Sequence, residues 1–446
     1  MKPSPRQQLH SALILLLGSL CAACAAQAPQ RLTLHEAIQK ALAANLNGRL
    51  ASARIDEAEG THLRRLSAAM LPQVSAQTYA NVQNRDLRAF GISLPGMPEV
   101  VGPFSNYDFR IYAQQNLYDP IGRHTLKSSE RAVDADKLDY RDARDMIVRL
   151  TAALYLNAES ASARSNAASS RVNDSNALYK LAKDKHDAGT ATGVDVLRAQ
   201  VQLANDKQAL LIAQNLYKQS LLALQRAMGS TPGEPLELAE SLHFAALKPD
   251  EVDSLIQSAL AARADYLSLS TQRQGLIEEQ LANKARSLPK VSLNGNYGAI
   301  GRSIGGVQGT GLIQGQIDFT LYNRDRAGEA QEIASRMRSV DEQIADLRRG
   351  IAEDVREALL NLDSAAEQVA VATEGEQLAQ RELELSQDRF KEGTANNVEV
   401  VTAQDELARA EENFILAVSS HVDAKFALAR SLGDTEMNMA RFEENQ

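Results

Sequence analysis

The amino-acid sequence repeats itself at one fixed distance. Gly393 and Gly189 stand 204 residues apart, and so do Leu321 and Leu117, Tyr322 and Tyr118, Asn361 and Asn157, Leu385 and Leu181, Gln404 and Gln200, Arg430 and Arg226, and Gly433 and Gly229. An offset held without a gap from Leu117 to Gly229 is an internal duplication. The clearest unit is a turn between two helical patterns. It reads Asp187-Ala188-Gly189-Thr190-Ala191-Thr192-Gly193-Val194-Asp195-Val196 in the first copy and Lys391-Glu392-Gly393-Thr394-Ala395-Asn396-Asn397-Val398-Glu399-Val400 in the second. Two helical hairpins of one design therefore form the body of the protein.

Composition suits that body. Charged residues make up 24% of the 446 residues and aromatics only 4%, with no tryptophan. Such a balance favours long helices packed closely through small side chains. The net charge is −9, and no Lys/Arg-rich run is interleaved with aromatics, so nucleic acid is not an expected partner. Residues 1–28 read as an export signal: Lys2 and Arg6, an apolar run from Ala12 to Leu20, then small residues. That run is too short for a permanent membrane helix. Both cysteines, Cys21 and Cys24, follow that run within the export signal. Cleavage after Ala25 and lipid attachment at Cys24 both remain open. The protein is exported, and the mature chain carries no thiol catalyst.

Taken in order, Leu34 to Asn45 predicts a short amphipathic helix, with Leu34, Ile38 and Leu42 on one face. A second helix follows to about Met70 and stops before Pro72. Val74 to Ala80 then alternates apolar with polar, a loop rich in glycine and proline intervenes, and Phe109 to Tyr118 alternates again. From Arg123 to Asp187 the pattern is helical throughout, which at ~1.5 Å per residue reaches roughly 100 Å. The second half repeats the order, with Leu288-Pro289-Lys290-Val291-Ser292 echoing Leu71-Pro72-Gln73-Val74-Ser75. The expected organisation is an export signal at 1–28, a first repeat at 32–230, a linker or equatorial segment at 231–253, a second repeat at 254–433 and a tail at 434–446. The stretch Ser230-Thr231-Pro232-Gly233-Glu234-Pro235 marks the join. Ile351, Val355, Leu359 and Leu362 predict a coiled-coil-like seam.

The last strand is the most informative. Ile313, Gly315, Ile317, Phe319 and Leu321 alternate with Gln314, Gln316, Asp318 and Thr320. A water-soluble sheet would turn the apolar face to a core, and a membrane barrel would turn it to lipid; strands of ~9–11 residues cross a bilayer. Helices this long leave little else for the sheet to pack against, which favours lipid. Four strands cannot close a barrel, and an open edge in lipid leaves backbone groups without partners. Two copies give eight strands with a filled lumen, so three is the smallest number that makes a conduit.

Nothing in the chain spells an enzyme. Gly301-Arg302-Ser303-Ile304-Gly305 has the G-x-S-x-G spacing of a nucleophile elbow, but that chemistry needs a helix after the serine and His and acid partners. Glu59-x-x-His62 is half of a di-iron pattern with no second half. No Cys/His metal set and no phosphate-cradling glycine loop is present, so neither metal nor cofactor is expected.

The order of elements resembles the TolC-type outer membrane efflux protein family. The resemblance rests on the duplicated helix–strand–strand–long helix–turn–helix order, the strand exits Leu117-Tyr118-Asp119 and Leu321-Tyr322-Asn323, and the two Gly-Thr turns followed by Val194-Asp195-Val196 and Val398-Glu399-Val400. It implies a mainly α protein with membrane β: hairpins forming an α-barrel, and four strands per protomer contributing to a trimeric 12-stranded outer-membrane barrel. It also implies a homotrimer docked to a periplasmic adaptor and an inner-membrane transporter of the RND or ABC type. The function implied is a passive exit duct for an efflux pump or type I secretion system. A periplasmic adaptor or coiled-coil scaffold without a pore is the alternative, although an adaptor carries one hairpin rather than two. By the same resemblance Gly189, Thr190, Gly393 and Thr394 belong to the periplasmic tip that meets the adaptor. Glu399, with Asp195 as its counterpart, belongs to a ring constricting the tunnel. The family's second acid three positions on is replaced by Thr402 and Arg198, which leaves that ring single.

Overall fold

A computed structural model describes residues 30–93, 95–241, 243–248, 250–433 and 435–436. The export signal with Cys21 and Cys24, and most of the tail, lie outside the described residues. The chain opens with β1 (Gln30–Leu32) and α1 (Leu34–Ala44). The helix starts where it does because Thr33 and Glu36 form a reciprocal cap. The Glu36 amide donates to Thr33 Oγ1 at 3.2 Å and the Thr33 amide to Glu36 Oε2 at 3.3 Å. Asn45 breaks the helix and caps the next one, α2 (Leu46–Met70), by accepting the Asn47 amide. Pro72 ends α2 and the chain enters β2 (Gln73–Asp86) and β3 (Val100–Tyr118). Then comes α3 (Pro120–Asp187), 68 residues long, and its return partner α4 (Gly193–Ala227).

The second half retraces this path. After β4 (Leu236–Leu238) come α5 (Val252–Ala262), α6 (Ala264–Ala285), β5 (Lys290–Gly301), β6 (Gln308–Asp318), α7 (Asp325–Glu392) and α8 (Asn397–Leu432). Like α3, α7 has 68 residues, and each therefore runs about 100 Å. The shorter helices stack end to end beside the long ones. Lys137 of α3 pairs with Glu59 of α2 at 3.3 Å, while the Ser175 hydroxyl further along α3 donates to Asp206 of α4. The expected seam is in place: Ile351, Val355 and Leu362 are buried and Leu359 partly so.

One apolar cluster joins the halves at the waist. It gathers Leu32 and Ile38 from the N-terminal segment, Val148, Ala152 and Tyr155 from α3, Leu224 from α4 and Phe426 from α8. The buried Tyr155 hydroxyl donates to the Leu32 carbonyl at 2.9 Å. This fixes β1, which lies parallel to β4. That small parallel pair was not legible in the sequence, because three-residue strands carry no periodicity.

The four long strands make one antiparallel sheet in the order β2-β3-β5-β6. β6 stops at Asp318, short of the expected Leu321. β3, from the equivalent place in the first half, continues to Tyr118 because its last residues still pair with β5, Gln115 with Leu293 and Tyr118 with Val291. β6 is an edge strand, with half its backbone groups unpaired in the chain, and Leu321 beyond it is 97% exposed.

Candidate functional site: two hairpin turns and a membrane sheet

The turns that join α3 to α4 and α7 to α8 are copies in geometry as well as in sequence. Gly189 has φ +77° and Gly393 φ +80°, the left-handed conformation that lets a helix end. The Thr190 amide and hydroxyl both reach back to the Lys185 carbonyl, at 2.8 and 3.0 Å. The Thr394 amide and hydroxyl reach the Arg389 carbonyl at 2.9 and 3.1 Å. Each Gly-Thr pair thus closes the carbonyl end of a 68-residue helix.

The return helices are capped by different side chains in the same role. Thr192 and Asp195 cap α4 reciprocally, and the Thr192 hydroxyl also donates to Asp195 Oδ2 at 2.7 Å. That hydroxyl, then the Thr192 amide and Arg198, hold the Asp195 carboxyl below the usual carboxylate range. Asn396 caps α8 by accepting the Val398 and Glu399 amides. Both acids singled out in the sequence have a cation beside them. Glu399 lies 2.9 Å from Arg389 across its own hairpin, and Asp195 lies 3.6 Å from Arg198. Thr402 lines the same groove as Glu399, Arg389 and Arg381.

Two contacts that the sequence did not announce tie one turn to the other. Lys185 donates to the carbonyls of Phe390 and Lys391 at 2.7 and 3.2 Å. The buried Asn397 donates to the Asp195 carbonyl at 2.9 Å. The duplication held the signal for the first contact, since Lys185 and Arg389 are 204 apart and both precede the glycine by four.

At the other end of the molecule, strand register sorts the sheet into two faces. Val74, Ala113, Gly295 and Ile313 lie across from one another, which puts Ala76, Val82, Phe109, Ile111, Tyr297 and Ile317 on the same side. Val74, Val82, Ile111, Tyr297, Ile313 and Ile317 are exposed. Among the described residues nothing buries these six side chains. The opposite face carries Gln77, Tyr79, Asp108, Arg110, Asn294 and Gln316. There the Tyr79 hydroxyl and Arg110 Nε each donate to the Asp108 carboxylate at 2.8 Å. An apolar face without a core behind it, set back to back with a hydrogen-bonded polar face, is the inverted pattern of a membrane barrel wall. Among the described residues no helix is long and apolar enough to cross a membrane.

The family model for outer membrane efflux proteins matches residues 37–230 and 255–434. The chain belongs to the outer membrane efflux protein family. This efflux protein is 22% identical to the toluene efflux pump outer membrane protein TtgC of Pseudomonas putida over 417 residues, which span 90% of this chain and 82% of that one. Pyoverdine export outer membrane protein OpmQ of Pseudomonas aeruginosa is 21% identical over 412 residues, 90% of this chain and 85% of that one. Among solved structures, the outer membrane protein VceC of Vibrio cholerae superposes with TM-score 0.76 at 18% identity, covering 90% of this chain and 96% of that one. The CmeC outer membrane channel of Campylobacter jejuni superposes with TM-score 0.76 at 17% identity, covering 92% and 89%. An efflux protein of this family sits in the outer membrane by its strands and extends its helices into the periplasm.

Members of the family are channels, and the residues with enzyme-like spacing serve the efflux protein's frame. Ser303 sits in the short turn between β5 and β6, so a strand follows it where an elbow needs a helix. His62 Nδ1 meets Ser129 Oγ at 3.1 Å and Glu59 pairs with Lys137. Both contacts fasten α2 to α3.

Proposed function

We propose that the protein is the outer-membrane exit duct of a tripartite efflux pump or type I secretion system, working as a homotrimer that conducts small molecules or polypeptide passively. The observation that carries this reading is the sheet, with its uncovered apolar face and two unpaired edges, β2 and β6. In lipid the face is stabilised and the edges are not. Three copies joined edge to edge give twelve strands and a lumen lined by the polar face. The energy for transport comes from an inner-membrane transporter of the RND or ABC type, reached through a periplasmic adaptor.

In this reading Gly189-Thr190 and Gly393-Thr394 form the periplasmic tip where the adaptor engages. Glu399 and Asp195 lie at the constriction of the tunnel. Their neighbours Arg389 and Arg198 offset the acidic charge, so this gate holds cations weakly. Opening is a change in packing between the two hairpins, biased by the adaptor. The test is direct: purified protein in detergent should sediment as a trimer and give discrete conductance steps in a planar bilayer. A monomer that stays in the aqueous phase would overturn the proposal.

A further inference from the structure

The duplication carries more than a count of strands, because it relates a contact seen within the chain to one between chains. Around the hairpin bundle the helices run α4, α3, α8, α7, and the two halves of the chain meet at α3 against α8. The offset of 204 turns α3 into α7 and α8 into α4. Exchanging the halves therefore converts the α3–α8 contact into one between α7 of one copy and α4 of the next. The sheet follows the same rule. β3 against β5 becomes β6 against β2, the two edges left open in the single chain.

The exposed side chains agree with this operation. Leu360 of α7 is 71% exposed, while its duplicate Leu156 is 4% exposed in the waist cluster. Leu222 of α4 is 44% exposed, while its duplicate Phe426 is 3% exposed in that same cluster. Towards the turns, Leu385 and Leu197 are exposed, while their duplicates Leu181 and Val401 pack against one apolar cluster. The single chain thus buries one version of the interface and leaves the other bare.

Three ion pairs cross from α3 to α8. Arg149–Asp423 is replaced in the duplicate by Glu353 and Gln219, and Arg164–Glu412 by Gln368 and Gln208. The third, Arg430–Asp142 at 2.6 Å with both side chains about four-fifths buried, is preserved as Arg226 and Asp346. Arg226 is exposed and has no ion-pair partner among the described residues. Asp346 is exposed, and among the described residues its one ion pair is with Arg349 on its own helix, at 3.0 Å. We propose that Arg226 of one copy pairs with Asp346 of the next, in an interface that repeats between chains the α3–α8 contact each chain makes within itself. The inference rests on the assembly read above and adds the partner surface and its register.

Charge reversal tests it. Arg226→Asp and Asp346→Arg should each raise trimer dissociation in detergent about fivefold, and the two together should return it to within about twofold of wild type. Single reversals without effect, or a double variant no better than the singles, would overturn the pairing. A second measurement does not depend on those variants folding well. Leu197→Cys combined with Leu385→Cys, treated with a short bis-maleimide, should yield a covalent trimer on a denaturing gel, with wild type as the control for Cys21 and Cys24. Absence of cross-linking in a sample that still sediments as a trimer refutes the interface while leaving the exit duct intact. A wild-type protein that sediments as a monomer removes both.

Discussion

Lys185 holds Phe390 in two ways. Its ammonium donates to the Phe390 carbonyl at 2.7 Å and sits 4.9 Å from the centroid of the same residue's ring. The contact spans the two hairpins at the level of their turns, where opening would have to separate them. Lys185→Met keeps the apolar stem and removes the charge. A half-exposed charged hydrogen bond of this kind contributes about 1.4 kcal/mol, so the open fraction should rise about tenfold. Single-channel open probability in planar bilayers measures it, and an unchanged value removes Lys185 from the gate.

Glu399 and Arg389 call for two variants with different readouts. The pair is exposed and should contribute less than ~1 kcal/mol to stability, so neither substitution should move the unfolding midpoint appreciably. Glu399→Ala should raise conductance if the proposed constriction is built from this side chain. Arg389→Ala should leave the acid uncompensated and shift the reversal potential towards cation selectivity. Equal reversal potentials in both variants would mean that Glu399 does not line the ion path.

Two glycines with the same left-handed backbone should respond very differently to alanine. At Gly433, φ +81°, a methyl group would lie 2.6 Å from Arg263 Cα, whereas at Gly189, φ +77°, it would meet nothing within 4 Å. Gly189→Ala should cost about 1 kcal/mol, and Gly433→Ala about 3 kcal/mol once backbone overlap is added. Thermal unfolding ranks them. If Gly189→Ala nonetheless abolishes efflux in cells, the loss belongs to docking at the tip rather than to stability.

Acidity at the waist gives a fourth prediction. Glu159 on α3 is buried with Oε1 lacking a hydrogen-bond partner. Burial first, and Glu240 second, push its carboxyl from an ordinary 4.5 to about 7. Because the folded value is raised, the contribution to stability is complete below about pH 4.5 and is lost as the pH climbs through about 7, by roughly 3 kcal/mol at most. His421, buried and held neutral by desolvation, works in the opposite sense and loses stability in acid below its ordinary value of 6.5. The unfolding midpoint should therefore fall between pH 6.5 and 8, and Glu159→Gln should flatten that fall. A wild-type midpoint constant over this range would show that Glu159 is ionised at little cost.

Much of this molecule was legible in its sequence because duplication and periodicity are properties of the chain itself. The long first-half helix was expected from Arg123 and begins at Pro120, since Asp119 accepts the Gly122 amide and a proline fits the first turn. β3 starts at Val100 rather than Phe109, because Gly102 and Pro103 disguise a strand as a loop. The placement of Gly189, Thr190, Gly393 and Thr394 followed from the repeat. What stayed hidden were contacts between the halves. Lys185 is marked only by its place in the repeat and Asn397 only as one residue of a turn, and their partners are backbone carbonyls that no side-chain pattern records.

The hydrogen bond from Tyr155 to Leu32 also sets a limit on chemistry far from it. Tyr155 stands 35 residues down α3 from Pro120, which puts Leu32 about 50 Å below the strands at ~1.5 Å per residue. From Cys24 to Leu32 the chain can stretch no further than about 28 Å at ~3.5 Å per residue. Backbone alone would then leave an acyl group on Cys24 about 20 Å short of the strands, so fatty anchoring has to bridge that gap or draw the N-terminal strand from its seat. Intact mass of the mature protein, with or without the added lipid, reports whether Cys24 carries one.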